Sequence, residues 1–152
     1  MFPDYRERVV AHEAAHLLLG YLLGVPVAAY SLSLGKEHTD FAEAKIQKRL
    51  IERRLQSREV DVLGIMALAG AAAEAARYEE VVGQTADLML HGRILQRSEE
   101  RLSAAAQQNQ TRWACYQAAS LLRAYEKELG AVEAALARGA SVAAAIQAIE
   151  AC

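Results

Sequence analysis

The chain has 152 residues, a length typical of one domain with its own core. Its net charge of −2 excludes the broad basic surface of a nucleic-acid-binding protein, and no stretch approaches the ~18 consecutive apolar residues of a membrane span. The two cysteines, Cys115 and Cys152, are far apart, which excludes a disulfide framework and suits a reducing compartment. We therefore expect a cytoplasmic protein, or one of the plastid stroma, with no nucleic acid and no membrane span.

Abundant alanine and regularly spaced leucine predict a mainly α fold, with a single domain over residues 1–152. The first helix should begin at Pro3 or Asp4, since proline suits a first helical turn and aspartate suits an N-terminus. It should run to about Leu23, where Gly24 and a proline two residues later end it.

Alternating serine and leucine within residues 27–34 predict a short β-strand beside the first helix. A lone strand needs a partner, so it should pair with the loop that follows or lie as an edge near the site described below. A charged helix is predicted over residues 41–56. The next helix, residues 60–76, is apolar nearly all round and is therefore expected to be buried, with Gly64 and Gly70 allowing close backbone approach.

The rest of the chain is predicted to be helical. Thr85 should cap one helix and Ser141 the last one, while Gly130 and Gly139 should end the helices between them. These helices have apolar stripes and charged faces but no catalytic spacing, so we assign residues 103–152 to packing and to assembly into a homo-oligomer. The predicted spans are residues 86–102, 103–129, 131–138 and 142–151.

The predicted first helix contains the sequence His-Glu-Ala-Ala-His, which has the H-E-x-x-H spacing of zinc peptidases. In a helix His12 and His16 lie one turn apart on one face, roughly 6 Å along the axis, so both imidazoles can reach one zinc ion. Glu13 projects to the neighbouring side, where its carboxylate can take a proton from a zinc-bound water. A helix can also carry two satisfied histidines, but three titratable groups in an apolar helix cost free energy unless they are paired or metal-bound. We therefore predict a zinc site.

The motif supplies two ligands, so a third must come from elsewhere. The candidates are His38, Glu74, Asp87 and His91, whose donor atoms zinc accepts. Glu74 is the lone charge deep in an apolar helix, and it can ligate zinc or accept a hydrogen bond from a ligand histidine. Asp87 lies in a first helical turn and can ligate zinc or merely favour the helix dipole, while His91 can assist it or be exposed. The chemistry of the residues does not separate Glu74 from Asp87.

The H-E-A-A-H helix, followed by LAGAAAEAARYEEVVGQTADL over residues 68–88, resembles the peptidase domain of the FtsH family of membrane-bound, ATP-dependent zinc proteases. That family has HEAGH, then an LAGRAAEE-like helix, a GEV-like loop and a G-A-S-N-D-L-like segment. The resemblance places the metal site within residues 1–100. It implies that zinc is held by His12, His16 and Asp87 and that Glu13 is the catalytic base.

The chain departs from the family pattern. Ala15 replaces the usual glycine, Gln84-Thr85-Ala86 replaces the small residues and asparagine before the aspartate, and no G-x-x-x-x-G-K-[ST] motif or membrane segment occurs in the sequence. The resemblance therefore implies a stand-alone FtsH-type domain. We expect a zinc-dependent metalloendopeptidase that hydrolyses flexible or unfolded protein segments without ATP. The alternative is a non-catalytic FtsH-like assembly or regulatory module.

Overall fold

A computed structural model describes residues 3–25, 27–31, 38–41 and 55–152 of the chain. The described part is mainly helical, which confirms the prediction of a mainly α fold. None of its helices is long and apolar enough to cross a membrane. In chain order the helices are α1 (Tyr5–Leu22), α2 (Ser57–Ala67), α3 (Ala69–Ala75), α4 (Gln84–Gln96), α5 (Ala104–Ala124), α6 (Glu126–Ala137) and α7 (Val142–Glu150).

An antiparallel two-stranded ribbon lies beside α1 and consists of β1 (Val27–Ser31) and β2 (His38–Phe41). Val27 pairs with Phe41 and Ser31 pairs with His38, with one shift of register near the start of β1. β1 thus covers the first part of the segment predicted as a strand. Residues 32–34 of that prediction lie outside the described residues.

Helix α1 lies at the centre of the fold, and residues 9–20 are all buried. It packs mainly against α3 and α6 and also touches α2 and α5. The helix ends near the predicted position because Gly24 has a φ of +74°, a conformation that glycine adopts without strain. There the N–H of Val25 donates to the carbonyl of Gly20 at 2.8 Å, which closes the helix end.

Two apolar clusters form the core. The larger one joins α1 and α3 to α5, α6 and α7, so residues 103–152 do pack onto the helix that carries the H-E-x-x-H motif. The smaller one joins α2 and α4 to Val25 and Leu55. The predicted role of residues 103–152 in assembly stays a prediction.

The helix predicted over residues 60–76 is divided into α2 and α3 at Leu68, which is a correction to the sequence analysis. Leu68 ends α2, with its N–H donating to the carbonyl of Gly64, and its own carbonyl accepts from Ala72 as α3 begins. No glycine or proline stands at this position, so local propensity gives no sign of the break. Because a new helix starts here, its first N–H groups are free of intrahelical partners and can bond elsewhere.

The predicted bounds of α4 are wrong at both ends. Its N-cap position is Gly83 rather than Thr85, and it ends at Gln96 rather than at residue 102. The early end has a tertiary cause, because Leu55 forms a bridge with the chain that follows α4. The N–H of Leu55 donates to the carbonyl of Arg97 at 3.0 Å, and its carbonyl accepts from Glu99 at 2.8 Å.

The predicted end of the helix over residues 41–56 is also wrong, because of the same bridge. Leu55 is in the bridge and Gln56 is the extended N-cap residue of α2, so neither is helical. At the other end, Phe41 closes β2. Residues 42–54 of this predicted helix lie outside the described residues.

The last predicted boundaries are partly right. The break between α5 and α6 falls at Tyr125, and Gly130 lies inside α6 rather than ending a helix. Gly139, with a φ of +75°, does end α6 as predicted. The hydroxyl oxygen of Ser141 accepts from the N–H of Ala144 at 3.1 Å, which confirms the predicted cap of the last helix.

We expect the packing of α5 on α1 and α3 to be intolerant of added volume. Ala118 is fully buried in the larger cluster, whereas its neighbour Ala119 is exposed. Ala118→Leu should lower the free energy of unfolding by about 1–3 kcal/mol, because a close-packed interior cannot accept the extra carbons. The control Ala119→Leu should change it by less than about 0.5 kcal/mol. Urea unfolding measures both, and equal stabilities would contradict this packing.

Candidate metal centre

Three of the predicted site residues converge in the structure. His12 and His16 of α1 and Asp87 of α4 are all buried. The Nε2 atom of His16 lies 3.2 Å from Nε2 of His12 and 3.1 Å from Oδ1 of Asp87, and Nε2 of His12 lies 3.3 Å from the same oxygen. Within the described ranges this is the one group of three or more such side chains whose donor atoms lie close enough to hold a metal ion.

The other ring nitrogen of each histidine fixes its tautomer. Nδ1 of His12 lies 2.7 Å from Oε1 of Glu74, and Nδ1 of His16 lies 2.9 Å from the carbonyl oxygen of Met66. A carbonyl and a carboxylate can only accept, so each Nδ1 carries a hydrogen and donates it. In the neutral rings each Nε2 therefore directs a lone pair towards the centre of the group.

This arrangement requires a positive charge at the centre. The two Nε2 atoms and the carboxylate oxygen lie 3.1 to 3.3 Å from one another in a buried site. Their lone pairs repel one another unless a cation or a proton lies between them. Two imidazole nitrogens and one carboxylate oxygen suit a divalent metal ion. The donation of each Nδ1 hydrogen to an oxygen is also what orients metal-binding histidines in proteins. The residues therefore fit a metal ion.

The pKa values of His12 and Asp87 in the metal-free chain also indicate that a positive charge is needed at the centre of the group. Burial lowers the pKa of His12, but the hydrogen bonds to Asp87 and Glu74 outweigh burial and raise it to about 10. Burial raises the pKa of Asp87, but the charges and hydrogen bonds of His16 and His12 hold it well below its ordinary value. Without a metal ion, a proton on His12 supplies the positive charge beside an ionised Asp87.

Glu74 lies behind His12 rather than in the group of three. Its Oε1 accepts from Nδ1 of His12 and from the N–H of Gly83 at 3.0 Å, and its Oε2 accepts from the N–H of Val82 at 2.8 Å. Burial raises the pKa of Glu74, but these bonds lower it below its ordinary value. The geometry therefore favours Asp87 as the third ligand. The role of Glu74 is to orient the His12 ring.

The break between α2 and α3 helps to orient Asp87. Oδ2 of Asp87 accepts from the N–H of Ala71 at 2.9 Å, and Ala71 lies in the first turn of α3. This N–H is one of the groups that a helix start leaves without an intrahelical partner. With Oδ2 held in this way, Oδ1 is left directed at the two histidines.

Two glycines make room for the His12 ring. A Cβ atom at Gly70 would overlap the ring, and one at Gly83 would lie 2.6 Å from both Oε1 of Glu74 and Cε1 of His12. Both glycines are therefore part of the site. The sequence alone predicts for Gly70 only close backbone approach between helices, and it predicts no role for Gly83.

Glu13 is buried and follows His12 directly in α1. Together with His12 it lines a cavity of about 280 Å³ between the N-terminal half of α1 and the start of α4. A small molecule or a side chain in this cavity would contact both residues. The predicted position of Glu13 next to a ligand is therefore compatible with proton transfer.

The two remaining candidate histidines are not in the group. His38 lies in β2, and its side chain is outside the described part of the chain. His91 is buried, so it is not exposed as one alternative predicted. Its Nδ1 lies 3.4 Å from the hydroxyl of Thr111, and its Nε2 has no hydrogen-bond partner among the described residues. Burial lowers the pKa of His91, which keeps the ring neutral.

Comparison with known proteins assigns no family to the chain. A scan against family models, a search of curated proteins and a search of solved structures each found no match. The likeness to the FtsH family therefore rests on the two quoted sequence motifs alone. What the structure adds is independent of that likeness: a buried group of two histidines and one aspartate that could bind a metal ion.

We expect Gly70→Ala to weaken metal binding by at least about 10-fold, because the added methyl displaces the His12 ring from its orientation. Gly130→Ala is the matched control, since a Cβ atom there meets nothing within 4 Å. It should leave metal affinity unchanged and stabilise α6 by about 0.5–1 kcal/mol. Competition with a chelating dye measures zinc affinity in both variants. Equal affinities would show that Gly70 does not limit the position of His12.

Proposed function

We propose that the chain is a zinc-dependent metalloendopeptidase that hydrolyses peptide bonds in flexible or unfolded protein segments without ATP. The observation that carries the proposal is the convergence of the two Nε2 atoms and the Asp87 oxygen, with Glu13 one residue from a ligand. Two histidines and a carboxylate are one of the three-ligand sets of catalytic zinc sites, whereas structural sites have four protein ligands. The resemblance to the FtsH-type peptidase domain supports the same reading.

The residues of the chain have separate roles in this proposal. His12, His16 and Asp87 would hold the zinc ion, which when bound supplies Lewis acidity that activates water and polarises a peptide carbonyl. Glu13 would accept a proton from the attacking water and return it to the leaving nitrogen. Glu74 and the carbonyl of Met66 would hold the two rings so that both Nε2 atoms stay directed at the centre.

The substrate would reach the site in an extended form. The antiparallel ribbon lies beside α1, and we propose that an extended peptide pairs with its backbone by strand addition. Such pairing needs an extended segment whose backbone N–H and C=O groups are unpaired, and a flexible or unfolded segment offers them along its length. This is why we propose flexible or unfolded protein segments as substrates.

A non-catalytic assembly or regulatory module is the second candidate, and exposed apolar side chains favour it. Met89 of α4 is 66% exposed and Tyr116 of α5 is 69% exposed, with Leu88 and Trp113 also exposed on these helices. Leu88 and Tyr116 line the same surface cavity, and exposed apolar side chains that lie close together mark association surfaces. We propose that a homo-oligomer, if formed, uses this surface.

Glu13→Gln separates the two candidates. The amide keeps the size of the side chain but cannot accept the proton, so cleavage of casein or a peptide library should fall about 10²–10⁴-fold. Zinc content and unfolding temperature should stay at the parent values. Glu126→Gln, an exposed position at the start of α6, is the matched control and should keep full activity. A Glu13→Gln variant as active as the parent, or a zinc-loaded parent that cleaves no peptide, would overturn the peptidase proposal.

A further inference from the structure

Residues 76–83 form the α3–α4 loop, and this loop supplies two of the hydrogen bonds that hold the carboxylate of Glu74. The N–H of Val82 donates to Oε2 of Glu74 at 2.8 Å, and the N–H of Gly83 donates to Oε1 at 3.0 Å. The same Oε1 accepts from Nδ1 of His12 at 2.7 Å. The position of the loop backbone therefore decides where this carboxylate lies and how the His12 ring is oriented.

The loop has few buried side chains of its own that would fix it in place. Its start is held by Arg77, whose Nη2 lies 2.7 Å from Oε1 of Glu133 on α6. Farther along, Glu79, Glu80 and Val82 are all exposed. A segment with few buried apolar contacts opens easily by itself. Contacts from outside the loop are therefore needed to keep its backbone in position.

Arg8 of α1 makes such contacts with the middle of the loop. Its Nη1 donates to the carbonyl of Glu80 at 2.8 Å, and its guanidinium carbon lies 3.8 Å from the ring centroid of Tyr78. Its Nε donates to Oδ2 of Asp4 at 3.0 Å, which fixes the orientation of the planar group. Only 11% of the Arg8 side chain is exposed, so water and salt screen these contacts less than those of an arginine in open solvent.

The helix that carries Arg8 also carries the first metal-binding histidine. Arg8 and His12 are four residues apart in α1 and therefore lie on one face of the helix. This face contacts the loop directly through Arg8, and His12 contacts it through Glu74. Because Glu80 is only two residues before Val82, holding its carbonyl limits how far the loop N–H groups can move away from the carboxylate.

We propose that Arg8 is a positioning residue of the candidate metal centre: it holds the α3–α4 loop, the loop holds Glu74, and Glu74 orients the ring of His12. Arg8 acts through these contacts and not as a ligand. The inference rests on the metal site of the proposed function but not on the cleavage of peptides. A planar guanidinium that stacks and donates in two directions is required, so lysine does not replace it.

The hydrogen on Nδ1 of His12 tests this series of contacts without any metal. In the metal-free full chain, isotope-labelled at histidine, NMR measures how fast each imidazole N–H hydrogen exchanges with water. Arg8→Gln and Arg8→Lys should speed exchange at His12 at least about 10-fold, because its bond to Glu74 opens more often. The Nδ1 hydrogen of His16 should exchange at the parent rate, since it is donated to the carbonyl of Met66 and not to the carboxylate that the loop holds.

Zinc affinity is the second measurement. Both Arg8 variants should bind zinc about 10-fold more weakly than the parent, which is the low end of the effect of changing a group behind a metal ligand. Arg6→Gln is the matched control, because Arg6 also lies in α1 and donates to a carbonyl of another segment, that of Ala137 at 3.2 Å. It should keep the parent exchange rates and zinc affinity. Tyr78→Phe keeps the ring that the guanidinium contacts and should do the same.

The possible outcomes separate this inference from the proposed function. Unchanged exchange at His12 in both Arg8 variants, or equal acceleration at His12 and His16, would overturn the role of Arg8, since the second result marks a general loss of stability. Parent zinc affinity in both variants would also overturn it and would leave the peptidase proposal standing. If the parent binds no zinc, the proposed function fails, while accelerated exchange confined to His12 still supports the link from Arg8 to the ring.

Discussion

The rings of His12 and His16 and the carboxylates of Glu74 and Asp87 are buried in a helical core. The relative placement of α1, α3 and α4 depends on pairing the polar atoms of these four side chains. An unpaired buried polar group costs a few kcal/mol, and an unpaired buried charge costs more. The chain meets this cost by giving each carboxylate oxygen of Glu74 and Asp87 a defined donor or a place at the metal centre. Among these atoms, the two Nε2 atoms and one oxygen of Asp87 are left to face one another, and this group could hold a metal ion.

Several of the donors that orient these side chains are backbone N–H groups at places where regular structure stops. Ala71 lies in the first turn after the break at Leu68, and Val82 and Gly83 lie in the loop before α4. Regular helix would have used these N–H groups for its own bonds. These irregular positions therefore supply N–H groups that orient the side chains of the candidate metal centre, and Gly70 and Gly83 leave room for the His12 ring.

The features of this site that depend on local backbone geometry could be predicted from the sequence. The spacing of His12 and His16 follows from helical geometry, and Gly24 ends α1 by its own backbone conformation. The choice between Glu74 and Asp87 is not local, because it depends on which ring nitrogen of His12 each carboxylate meets after three helices have packed. The end of α4 is likewise set by a bridge to Leu55, far away in sequence, and no propensity of residues 97–102 reports it. The break at Leu68 has no glycine or proline to mark it.

The central claim is that His12, His16 and Asp87 hold one zinc ion, and X-ray absorption at the zinc edge of the purified, zinc-loaded protein tests it most directly. We expect one zinc per chain, with two imidazole nitrogens at about 2.0–2.1 Å and a carboxylate oxygen at about 2.0–2.2 Å. The nitrogen signal should drop to one imidazole in His16→Ala, and the oxygen signal should persist in Glu74→Gln. A protein that binds no zinc, or a first shell without imidazole nitrogen, would contradict the account.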